Sequence, residues 1–135
     1  MKTQGFMDYD TPRAIDLIEG HRDKKLVTIT KDTKVADAIE KMKRFDISQI
    51  PVVDNGGFVG SLDDQRLYSK LVEDRNLINE PVEAIMQEPF PFVEAAAALE
   101  DVSKCITKEC NAVLVKDEAG NDHIITRHDI IEAIK

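Results

Sequence analysis

Twice in its 135 residues the chain follows a short apolar strand with a hydroxyl residue, two spacers, an aspartate and the start of an apolar helical stripe. The first instance is Phe58-Val59-Gly60-Ser61-Leu62-Asp63-Asp64, leading into Leu67. The second is His123-Ile124-Ile125-Thr126-Arg127-His128-Asp129, leading into Ile130 and Ile131. A supersecondary unit repeated at fixed spacing needs its neighbouring copy to cover its apolar face. The same spacing sets one hydroxyl and one carboxylate at each strand-to-helix turn, beside helix-start N–H groups suited to anions.

Upstream of each closing motif the pattern is shared. In the first copy Leu26-Val27-Thr28-Ile29-Thr30 reads as a strand from its β-branched content. Asp32 and Thr33 stand as caps before Val35, Ala38, Ile39 and Met42, which fall on one helical face. Ile50-Pro51-Val52-Val53-Asp54 is the next strand, Asn55-Gly56-Gly57 a tight turn, and Phe58 to Ser61 the returning strand. Leu67, Leu71 and Val72 mark a closing helix. In the second copy Phe92-Val93 opens, Leu99, Val102 and Ile106 make the helix face, and Ala112 to Val115 is the buried strand. A longer turn from Lys116 to Asp122 carries Gly120, and Ile130, Ile131 and Ile134 begin the last helix.

Strand, helix, strand, strand, helix is thus the order in both copies. The boundaries expected are an N-terminal linker and short helix over 1–22, a first repeat over 23–79 and a second over 80–135. Thr11-Pro12 is the helix-start signal of the leading segment, and Gly20 its stop. The fold class expected is α/β in the α+β sense: two pseudo-symmetric βαββα repeats packed through their sheets, leaving two related clefts.

Charge narrows the partners. With 26 acidic against 18 basic residues the net charge is −8, a sign that disfavours nucleic acid. The short basic runs, His21 to Lys25 and Lys41 to Arg44, lie among acids and read as solvated faces. No apolar run approaches the ~20 residues that span a bilayer, so no membrane partner is expected. Met1 to Asp8 lacks the apolar core of a signal peptide, so the expected location is cytoplasmic. Cys105 and Cys110, five residues apart, are poorly placed for a disulfide framework, and Cys105 reads as a packing residue. His21 reads as solvated, and His123 has no third ligand of suitable type for zinc. No nucleophile–base–orienter set is visible, so the chain is not expected to be an enzyme.

The repeated order, the strand Ile50-Pro51-Val52-Val53-Asp54 and the two closing motifs together resemble a tandem CBS-domain pair, or Bateman module, from Leu26 to the C-terminus. A narrower likeness is to the C-terminal regulatory region of cystathionine β-synthase. It is carried by Phe45-Asp46 before Pro51-Val52-Val53-Asp54, by Ile124 to Asp129, and by Gly5-Phe6-Met7 with the helix from Pro12, which is similar to a link following a pyridoxal-phosphate domain. Ile47-Ser48 add two residues between Asp46 and Gln49 relative to the version that responds to S-adenosylmethionine.

The resemblance implies a regulatory module that binds an adenosyl compound (S-adenosylmethionine, AMP or ATP) in the cleft between repeats. It would control a catalytic domain outside this chain, as a homodimer and with no catalytic cofactor. The alternative is a structural dimerisation module without a ligand, using stripes such as Leu67 and Leu71.

Each candidate residue has a plain reading beside the functional one. Asp129 and Asp64 suit the vicinal hydroxyls of ribose, because charge strengthens hydrogen bonds to a carboxylate. Taken singly, each is a helix-capping acid; their repeated placement favours ribose. Thr126 and Ser61 start the same turns, as N-caps or as donors to a ligand. Phe45 offers a face to adenine and, taken alone, reads as a core aromatic. Asp46 accepts from an ammonium group or begins a turn. Leu26, Ile50 and Ile124 supply apolar walls, with Gln49 at the head of its strand, and Arg127 and His128 are within reach of a phosphate.

Overall fold

The computed structural model describes residues 12–21, 23–108 and 110–134. They fall into two compact units, one spanning Val27–Phe90, the other running from Pro91 onward and taking in the described residues before Val27. The Thr11 cap and the Gly5-Phe6-Met7 segment lie outside the described residues.

The first unit holds β1 (Ile29–Thr30), α1 (Val35–Phe45), β2 (Gln49–Asp54), β3 (Gly57–Asp63) and α2 (Asp64–Glu73). Its sheet has the order β1-β2-β3, β1 parallel and β3 antiparallel to β2. Asn55 and Gly56 take φ of 50° and 80°, the left-handed pair that a two-residue hairpin turn requires, so the Asn-Gly signal specifies the connection. Val35, Ala38 and Met42 turn into a core with Ile29, Ile50, Val52, Leu62, Leu67, Val82 and Ile85.

The strand expected over Leu26–Thr30 pairs only at Ile29 with Val52 and Thr30 with Val53. Asp32 and Thr33 are not the cap of α1: Lys34 holds that position without a side-chain bond. Thr33 instead has its hydroxyl 3.0 Å from that of Thr30. The helix start is satisfied from a distance, because Val35 N–H donates to the Glu80 carbonyl at 2.9 Å. Val82 N–H donates to Thr33 O at 2.7 Å. The stretch after α2, with 3₁₀ turns at Arg75–Asn79 and Val82–Ala84, is therefore folded onto this unit.

The second unit holds a 3₁₀ helix (Ala14–His21), β4 (Phe92–Val93), α3 (Leu99–Cys105), β5 (Ala112–Lys116), β6 (Asp122–Thr126) and α4 (Arg127–Ile134). Its sheet repeats the first: β4-β5-β6, parallel then antiparallel. Ala14, Leu17 and Ile18 pack with Val102, Val113, Val115, Ile125 and Ile130. Ala14 and Ile15 N–H donate to Ala97 O and Ala95 O at 2.8 and 3.0 Å, tying the leading helix to this repeat. Gly20 does not stop that helix, which runs to His21.

The α+β fold of two βαββα repeats is therefore present. Two further local expectations need correcting. Cys105 is exposed at the last position of α3, while its neighbour Ile106 packs against the second core. Leu67 is 6% exposed within the first core and Leu71 packs against it, so the outward apolar residues of α2 are Tyr68 and Val72.

Candidate functional site

In the second repeat Ile124 and Thr126 lie on β6, with His128 and Asp129 in the first turn of α4. Asp129 Oδ2 accepts from Thr126 N–H at 2.9 Å and from its hydroxyl at 3.2 Å. The carboxylate and the hydroxyl are thus held together across the strand-to-helix turn, as a capping pair would hold them. Thr126 and Asp129 are half-buried and His128 is exposed. Arg127 Nη2 donates to Thr107 O at 2.7 Å, which fixes the α3–β5 connection beside the turn. Thr126 pairs with Ala112 and Ile124 with Leu114, so the turn sits at the end of a paired edge.

The corresponding turn of the first repeat is built differently. The strand β3 runs on to Asp63, opposite Gln49, so α2 begins two residues later relative to the hydroxyl than α4 does. Asp63, 6% exposed, is the cap and accepts from Arg66 N–H at 2.7 Å; Asp64 stands exposed in the first helical turn. Ser61 is buried, and its hydroxyl donates to the Glu88 carbonyl at 2.6 Å.

Phe45, Asp46, Gln49 and Ile50 gather at the α1–β2 corner. This corner adjoins the Ser61–Asp64 turn: Ile50 pairs with Leu62, and Asp64 N–H donates to Ser48 O at 3.0 Å. Ile50 is fully buried, in the first core. Phe45 is not a core aromatic: it is 47% exposed, with the Arg44 guanidinium 5.7 Å from its ring centre. It ends α1, after which Asp46 turns left-handed at φ 54° and carries the chain away. Asp46 is exposed in that turn, and Leu26, half-buried, precedes β1.

Two features escaped the sequence reading. Gly60 is tightly approached: a Cβ there would meet Met86 Sδ and Cγ and lie 3.0 Å from the Gln87 carbonyl. Gly60→Val is therefore expected to lower stability by roughly 1–3 kcal/mol through overpacking, read from the urea midpoint. Nothing local announces this, since Met86 follows Gly60 by a whole helix.

The other is a buried pair in the β5–β6 turn. His123 Nε2 lies 2.9 Å from Asp117 Oδ2, the two side chains 3% and 7% exposed. Asp117 Oδ1 also accepts from Ala119 and Asn121 N–H, both at 2.9 Å. The His123 bond first, then the backbone donors, hold the Asp117 carboxyl down to about 2. A carboxyl lowered by folding stabilises the native state above its unfolded value and ceases to as pH falls through the folded value. The stability difference between wild type and Asp117→Asn should therefore be full above about pH 4, shrink as pH falls below that, and be lost as pH passes through about 2. A difference that persists unchanged in acid titrations to that point would contradict the assignment.

Among the described residues no group of three or more His, Cys, Asp or Glu is placed to hold a metal ion, and no helix is long and apolar enough to cross a membrane.

Comparison with known proteins places this geometry in context. The family model described as "CBS domain" matches residues 18–73 and again 82–135. A CBS-domain containing protein of Agrobacterium tumefaciens superposes with a TM-score of 0.84 at 16% identity, covering 98% of this chain and 100% of its own. The CBS domain pair of MJ0100, solved in complex with 5′-methylthioadenosine and S-adenosyl-L-methionine, gives 0.74 at 19% identity over 92% of this chain and 100% of that one. CBSX2, solved in complex with AMP, gives 0.64 at 25% identity over 84% of this chain and 89% of that one.

Proposed function

The chain belongs to the CBS-domain family as a tandem pair, and from that premise we propose that it is a regulatory module sensing an adenosyl compound: S-adenosylmethionine, AMP or ATP. The observation that carries the proposal is the Thr126–Asp129 turn, where a carboxylate is oriented by two bonds at the start of a helix. A carboxylate so held suits the vicinal hydroxyls of a ribose, through charge-assisted bonds. Complexes of similar pairs with AMP and with S-adenosyl-L-methionine support the ligand class. Binding would shift an existing conformational equilibrium of the module by the ligand's differential affinity for its states.

A narrower partner, a pyridoxal-phosphate enzyme of the cystathionine β-synthase type, is supported by sequence likeness alone, in Phe45-Asp46, Pro51 to Asp54 and Ile124 to Asp129. Co-purification with such a catalytic domain tests it. Isothermal titration with AMP, ATP and S-adenosylmethionine tests the sensing function itself. Saturable heat with at least one of the three is expected, and none with any of them would remove the proposal.

A second reading, homodimerisation without a ligand, is favoured by apolar side chains on helix surfaces. Tyr68 and Val72 on α2 are 73% and 67% exposed, four residues apart and so on one face. If that face joins two copies, sedimentation velocity shows a dimer for the wild type and a monomer for Tyr68→Glu. A wild-type monomer excludes it.

A further inference from the structure

We infer that the closing turn of the first repeat is occupied by the chain's own segment Met86–Glu88, so that an adenosyl ligand is taken at the Thr126–Asp129 turn alone, one equivalent per chain. The inference rests on the sensing function proposed above and adds to it the place and the number.

Ser61 is the first repeat's counterpart of Thr126, and its polar groups are met by that segment. Its N–H donates to Gln87 O at 3.0 Å and its carbonyl accepts from Gln87 N–H at 2.9 Å, a short antiparallel bridge. Its hydroxyl donates to Glu88 O at 2.6 Å, which leaves the residue 5% exposed. Beside it the Met86 side chain fills the space on the Cβ side of Gly60.

The segment is anchored from behind. Val82 and Ile85 are buried to 0% and 2% exposure in the first core, and Arg66 Nε donates to Ile85 O at 2.8 Å. A ligand reaching Ser61 must break those three bonds and lift apolar side chains into water, a cost that binding at a modest site does not offset. Asp64, exposed in the first turn of α2, is left without the hydroxyl that its counterpart has.

At the second turn the partner of the hydroxyl is local. Thr126 bonds to Asp129, three residues along, so the contact orients the carboxylate and leaves Thr126 half-buried. The position corresponding to Gly60 is Ile125, fully buried in the second core, so no such close approach over a glycine is built there.

The test is titration calorimetry of the full chain with AMP and, separately, with S-adenosylmethionine. Wild type, Asp129→Asn, Asp64→Asn and Ser61→Ala are compared, with circular dichroism melts confirming that each variant is folded. Expected are one equivalent for the wild type, a loss of about 30-fold in affinity for Asp129→Asn, and changes within about twofold for Asp64→Asn and Ser61→Ala. Two equivalents in the wild type, or binding lost with Asp64→Asn and kept with Asp129→Asn, would overturn the inference while leaving the sensing function standing. No binding of either compound or of ATP by folded wild type would instead overturn the sensing function, and this inference with it.

Discussion

Ile125→Ala is expected to lower the stability of the second repeat by roughly 2–5 kcal/mol, the cost of truncating a fully buried branched side chain in a core that relaxes only in part. Ile125 is 0% exposed and packs with Ile18, Val102, Val113 and Val115. Its strand pairs it directly with Val113, so the cavity opens in the middle of the sheet face rather than at its rim. A domain of this size has about 5–15 kcal/mol in total, so the variant should show a sharply lower urea midpoint. Ile131→Ala serves as the internal control: that side chain is 57% exposed on α4, and its loss should change stability by no more than about 0.5 kcal/mol. Equal effects of the two substitutions would mean that Ile125 does not lie in the second core.

The second large effect concerns Asp129. Removing its carboxylate with Asp129→Ala strips the Thr126 N–H and hydroxyl of their partner and should cost about 0.5–2 kcal/mol in stability, as loss of a helix-start side-chain bond does. It should also weaken adenosyl binding by at least about tenfold, the consequence of losing a charged acceptor. Asp63→Ala separates the two roles. Asp63 caps α2 through Arg66 N–H at 2.7 Å, so its removal should cost about the same stability while leaving ligand affinity untouched. If both variants lose stability and neither loses affinity, both aspartates are caps and nothing more.

Much of this was legible in the residues. The duplicated order of elements followed from β-branched runs, helical stripes and the Asn55-Gly56 signal, all of which act over a few neighbours. The choice between Asp63 and Asp64 was not legible. Two adjacent carboxylates can each start a helix, and what decides is how far β3 stays paired with β2, to Gln49 opposite Asp63. Phe45 continues the Val35, Ala38, Met42 stripe, three residues past its last member, yet stands 47% exposed at the helix end with Arg44 over its ring. Sequence period gives the face of a helix but not how far the core extends along it. The return of Met86–Glu88 across Ser61 and the His123–Asp117 pair were hidden for another reason. They are contacts of tertiary structure and of turn conformation, which leave no periodic trace.

The most direct measurement is a nuclear magnetic resonance titration of the isotopically labelled chain, with backbone amides assigned. Added AMP, ATP or S-adenosylmethionine should displace the amide signals of Thr126 to Asp129 in a saturable manner with at least one of the three. A spectrum that stays unchanged at this turn for all three compounds would contradict the assignment of a nucleoside-sensing site to it.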